Sequence, residues 1–263
     1  MANDKSTLFS GNFGLAAKKD FIQNKKSILV GVASLLGAFA LFGALNGYIG
    51  SGGPYSNWAI FMSWFMASLF ITAGASLMFS DMKDKEGRIS EVMTPATAME
   101  KYLVRWIAGI PILFALTIGA IYLSDLTRIF VHWVSNGEFA DNETYMSVFN
   151  PWNLVLVEPT GMRHALIFLM VSGLMFAQAW YFFGAILWPK LSFLKSMFAS
   201  WCFNTVMVIL LIILDPLFPD IVVFDDFEGL FYGSGSAFIV CAIAMYVLTY
   251  VKYKRTQVIY KLF

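Results

Sequence analysis

Residues 81–105, DMKDKEGRISEVMTPATAMEKYLVR, lie between two apolar runs, Trp58–Phe79 and Trp106–Leu123. A charged interval with an uncharged run on each side, each long enough to cross a bilayer, is the pattern of a multi-span membrane protein. The whole chain follows it. Apolar residues fill 59% of the 263 positions and charged residues 13%, where an ordinary soluble domain carries about 25% charge. Mean hydropathy is +0.68. A soluble core has no room for so much apolar surface, so lipid must cover part of it.

Working outward from that interval, six apolar runs are expected to span: Ile28–Ile49, Trp58–Phe79, Trp106–Leu123, Ala165–Trp188, Ser196–Leu214 and Ser234–Val251. Each has the roughly 18–24 residues that a helix needs to cross about 30 Å of hydrocarbon. Helix is expected throughout, because a lipid-facing backbone must satisfy its own hydrogen bonds. The fold class is therefore an all-α membrane protein, with a single transmembrane domain over residues 1–263 and a kink near Pro111. Residues 1–27 carry Lys18, Lys19, Lys25 and Lys26, with Phe9, Phe13, Ala16 and Ala17 on one helical face. They read as a short interfacial helix lying on the membrane, or else as a disordered basic tail. Residues 215–233 are too short to cross and too apolar to float free, which fits a re-entrant segment before the last span. Residues 252–263 form a tail. In the first span Gly43 and Gly47 make a GxxxG pair that lets helices approach closely, either as a moving interface or as static packing.

Orientation follows from the basic residues. With the N-terminus inside, sixteen of the 18 Lys and Arg fall on the cytoplasmic side, and only Arg128 and Arg163 fall outside. This asymmetry places both termini in the cytoplasm. None of the six spans as drawn contains a charged residue, which argues against an ion-coupled carrier or a channel with a charged ring. Driving energy would then come from outside the bilayer. No HExxH or Walker A motif is present, and His132 and His164 lie outside the spans. No catalytic or metal-binding residue is expected in this chain. The two cysteines, Cys202 and Cys241, sit in apolar runs and suggest no disulfide framework. The net charge of +1 suggests no nucleic-acid partner. Asn142-Glu143-Thr144 matches a glycosylation acceptor, a short pattern that chance also produces.

The 81–105 interval itself divides in two. Gly87 is expected to break it, Arg88–Met93 to form one or two helical turns, and Thr94-Pro95 to signal a restart. Thr97 and Glu100 have the spacing of a capping box, opening a helix that runs through Lys101 and Arg105 into the third span. A stubby helix held between two spans is a lever, since force on it reaches both.

Glu86-Gly87-Arg88-Ile89-Ser90, then Met93-Thr94-Pro95-Ala96-Thr97, then Glu100-Lys101 and Arg105-Trp106, resemble the cytoplasmic loop of type-2 ABC-transporter permeases. Met93 stands where that family commonly has leucine, and Ala96-Thr97 where it has valine and serine. The resemblance implies a bacterial inner-membrane subunit of an ATP-driven exporter, working with a separate ATP-binding subunit that holds ATP and Mg. It also implies a second permease, identical or not, in the complex. Glu86, Gly87, Arg88, Ser90, Glu91, Met93, Pro95, Glu100, Lys101 and Arg105 would form the ATPase-coupling loop. Trp188, Pro189 and Lys190 would offer a secondary cytoplasmic contact. The alternative is a six-span membrane scaffold that transports nothing.

Overall fold

A computed structural model describes residues 11–49, 57–137, 160–214 and 227–259; within its helices, the side chains of 57, 160–163, 207, 208, 210–214, 227 and 257–259 are not described. The described chain is helical, with no strand among the described residues: α1 (Phe13–Ile49), α2 (Asn57–Leu77), a 3-10 turn (Ser80–Lys83), α3 (Lys85–Met93), α4 (Ala98–Ile107), a π turn (Ala108–Ile112), α5 (Leu113–Asn136), α6 (Thr160–Leu187), α7 (Ser192–Leu214) and α8 (Phe227–Ile259). Among the described residues, five stretches are long and apolar enough to cross a bilayer: Phe13–Ile49, Trp58–Leu77, Ala98–Asn136, His164–Leu187 and Glu228–Thr256. This is the architecture of a multi-pass membrane protein. The sixth expected span, Ser196–Leu214, falls within α7, whose outward side chains include Phe198, Trp201 and Val206.

Several boundaries differ from the sequence reading, each for a physical reason. α1 is one uninterrupted 37-residue helix, so the basic segment from Phe13 onward continues the first span and is not a separate interfacial helix. At 1.5 Å per residue it is about 55 Å long, well beyond the hydrocarbon thickness. Pro111 is absorbed by the π turn Ala108–Ile112, which joins α4 to α5 in a continuous 39-residue stretch. Proline lacks the N–H that an α ladder requires, and here the π turn accommodates that loss. The third span therefore does not end at Leu123: α5 runs on to Asn136 and stops where Gly137 adopts φ 74° and donates to the Trp133 carbonyl. The last helix likewise begins at Phe227 and runs to Ile259, taking in the end of the expected re-entrant segment and most of the expected tail. The rest of that segment, residues 215–226, and the glycosylation pattern at 142–144 lie outside the described residues.

The chain divides into two compact units. In the first, α1, α2 as far as Gly74, α4 and α5 pack together, with α1 lying along α5. Its core is Leu35 and Phe39 of α1, Ala59, Ile60 and Ala67 of α2, and Ala120 and Ile121 of α5. Small residues bring α1 and α5 unusually close. A Cβ on Gly43 would meet the Ser124 carbonyl oxygen and the Thr127 hydroxyl, and one on Gly47 would lie 3.0 Å from the Arg128 Cα. Thr127 Oγ1 donates across the gap to the Ala40 carbonyl at 3.2 Å. Hydrophobicity cannot drive this association in lipid, so close packing and interhelical hydrogen bonds must hold it.

The second unit comprises the end of α2 from Ala75, the 3-10 turn, α3, α6, α7 and α8, with α6 lying along α8. Aromatic contacts dominate its interior: Phe79 meets Phe182 at 5.1 Å and Tyr253 at 5.7 Å, and Phe176 stacks on Phe238 at 5.4 Å. Such pairs contribute beyond the area they bury.

Gly43→Leu should lower stability by about 1–3 kcal/mol, since the backbone of α5 cannot yield to the added side chain. Gly37→Leu, on the same helix with nothing within 4 Å of the new Cβ, should leave it unchanged or raise it. Thermal unfolding of the two variants in detergent checks this difference.

Candidate functional site

The two helices of the charged interval are anchored in different ways. In the second unit, the 3-10 turn ends at Asp84, whose extended backbone (φ −107°, ψ 157°) starts the chain into α3. Arg88 N donates to the Asp84 carbonyl at 3.2 Å. Gly87 does not break the segment, as its sequence context suggested, but lies inside α3. Its lack of a side chain lets α3 sit against the Asp81 carbonyl, which a Cβ there would strike. Glu91 is buried, and the hydroxyl of Tyr253 on α8 donates to its carboxylate. Tyr253 is itself wholly buried beside Phe79. Glu86, Ile89 and Met93, at i, i+3 and i+7, share the opposite face of α3 and are exposed, Met93 by 78%. This spacing puts them on one stripe. Asp84 and Lys85 are exposed beside it, so the stripe borders charged groups that require water.

In the first unit, the capping box at Thr97 and Glu100 is present with both arms. Glu100 N donates to Thr97 Oγ1 at 3.3 Å, and Thr97 N donates to Glu100 Oε2 at 2.8 Å. The other Glu100 oxygen accepts from Asn12 N at 3.2 Å, and Asn12 Nδ2 donates to the Pro95 carbonyl at 2.6 Å. Lys19 Nζ donates to the Thr94 hydroxyl, and Asp20 faces Arg105 at 3.8 Å. The start of α1 is thus fastened to the start of α4. Glu100, Lys101 and Arg105 are buried there, Glu100 with no exposed surface at all. Of the ten residues expected to form the coupling loop, Glu86, Met93 and Pro95 are exposed, Gly87, Arg88 and Ser90 are half-buried, and Glu91, Glu100, Lys101 and Arg105 are buried.

Sequence reasoning missed a further cluster. Asp125, Arg128 and His132 are buried on one face of α5. Arg128 donates to Asp125 Oδ1 from Nε at 3.0 Å and from an Nη at 2.9 Å. His132 Nδ1 lies 2.8 Å from Asn136 Nδ2. The Asp-x-x-Arg-x-x-x-His-x-x-x-Asn spacing was a helical signal, but ending the span at Leu123 assigned these residues to a loop. Trp188, Pro189 and Lys190 form the turn between α6 and α7, where Trp188 N donates to the Gly184 carbonyl at 2.9 Å. Among the described residues no group of three or more His, Cys, Asp or Glu could hold a metal ion.

No family model matches the chain, and no curated protein or solved structure matches it significantly.

Tyr253→Phe removes the hydroxyl that α8 offers to Glu91. A hydrogen bond to a charged group contributes about 1.5–3 kcal/mol, so the variant should unfold at lower temperature. Its exposed α3 face should keep the same accessibility to a water-soluble methionine oxidant at Met93.

Proposed function

We propose that this chain is the transmembrane permease subunit of an ATP-driven ABC exporter. A separate ATP-binding subunit would dock on α3, and a second permease would complete the complex. The observation that carries this reading is the division of α3 into two faces. Ile89 and Met93 stand exposed among charged residues on one face, while Glu91 on the other is bonded to Tyr253 of α8. An apolar stripe in a watery, charged setting is what a protein partner covers. A push on that stripe would reach α8 through the Glu91–Tyr253 bond and α6 through the Phe79–Phe182 contact. The docking residues are accordingly Glu86, Ile89 and Met93, with Glu91 holding α3 from its other face. The coupling-loop resemblance at Glu86–Ser90 and Met93–Thr97 supports the same reading. ATP and Mg would sit on the partner, since this chain has no Walker A motif.

One observation favours a second reading, an ion-coupled carrier. The apparent lack of charge in the spans argued against it, yet Asp125 and Arg128 are buried in a helix long and apolar enough to cross the membrane. Ionisable groups at such positions often mark ion pathways.

Co-expression with its cognate ATP-binding-cassette subunit should give a stable complex that hydrolyses ATP. Met93→Asp should weaken that complex by about tenfold or more, as loss of a central apolar contact does, with thermal stability retained. A complex without ATP hydrolysis would favour the scaffold. Gradient-driven uptake into proteoliposomes containing this chain alone, abolished by Asp125→Asn, would favour the carrier.

A further inference from the structure

A groove of about 400 Å³ opens at the turn between α6 and α7, lined by Trp188, Leu191, Leu194, Lys195, Phe198 and Ala199. We propose that it binds an anionic phospholipid, with the headgroup phosphate at Lys190 and Lys195 and an acyl chain along Leu194 and Phe198. The inference is independent of the exporter reading and needs only that the chain spans a membrane.

Position is the first argument. The groove begins one residue after a membrane-crossing helix ends at Leu187, so it lies where a helix leaves hydrocarbon and headgroups begin. Trp188 has the amphipathic ring that favours that depth. Charge is the second. No Asp or Glu occurs between Thr160 and Leu214, while Lys190 and Lys195 are both exposed at the turn. Basic pockets between membrane helices suit anionic headgroups.

The shape of the turn supplies a third argument. Leu191 has φ 56°, a left-handed conformation that side chains rarely adopt, and the Lys195 N–H donates to its carbonyl at 3.1 Å. The turn therefore holds an exposed leucine at the groove's edge, where a glycine would have been the easier choice. From there the exposed apolar surface continues down α7 through Phe198 and Trp201, whose rings lie 6.4 Å apart. A diacyl lipid has the same division, an anion at one end and apolar chains leading into the bilayer. A soluble protein seated here would have to bring a continuous apolar ridge to the membrane edge.

Native mass spectrometry of the purified chain, titrated with dioleoylphosphatidylglycerol or dioleoylphosphatidylcholine, tests the proposal. The wild type should retain the anionic lipid in preference to the zwitterionic one. Lys190→Gln with Lys195→Gln should weaken phosphatidylglycerol binding about twenty-five-fold, at about fivefold per lysine, and leave phosphatidylcholine binding little changed. Lys252→Gln with Lys254→Gln, on α8, should bind phosphatidylglycerol as the wild type does, and Phe198→Ala should weaken both lipids. Equal losses in the two lysine pairs would mean diffuse charge attraction and overturn the site. Unchanged lipid binding in the Lys190/Lys195 pair, with loss of a co-purifying protein, would assign the turn to protein docking and overturn it too.

Discussion

A carboxylate withdrawn from water must find hydrogen-bond donors in the fold, and residues 81–105 contain two such groups. Glu91 receives the hydroxyl of Tyr253, and Glu100 receives the N–H groups of Thr97 and Asn12. Each carboxylate is thus bonded to a distant part of the chain: 162 residues separate Glu91 from Tyr253, and 88 separate Glu100 from Asn12. The interval is thereby held at both of its helices. α3 is secured to the last helix, and α4 to the start of the first. Of the residues the interval leaves exposed, Glu86, Ile89 and Met93 share one face of α3.

Much of this was legible beforehand. The composition and the spacing of apolar runs indicated a multi-span helical protein, because few physical alternatives exist for a backbone in lipid. Thr97 and Glu100 declared their helix start because a capping box is a local motif, complete within four residues. Gly43 and Gly47 declared a close approach, and their contact with α5 follows from the same lack of side chains. The failures share a cause. Gly87 was read as a local break, whereas its role depends on the Asp81 carbonyl folded against it. The partners of the buried Glu91 and Glu100 likewise include Tyr253 and Asn12, which no local window contains.

Span ends were the least legible feature, since apolar runs stop at the first charges and helices do not. α5 continues past Leu123 with Asp125 and Arg128 paired at i and i+3, so that one turn of helix holds both charges against each other. That pair also changes the energetic argument. A chain with no charge in its spans would have to borrow its driving force, but α5 buries an Asp–Arg pair within a stretch apolar enough to cross a bilayer. The exporter reading therefore rests on the geometry of α3 rather than on an absence of charge.

Contact at Met93 is the most direct measurement of that geometry. A benzophenone amino acid placed at position 93, in the complex with the ATP-binding subunit, should cross-link to that subunit on illumination, and the same label at buried Tyr102 should not. Failure to cross-link from position 93 in an intact, ATP-hydrolysing complex would contradict the account, because the partner would then be docked elsewhere.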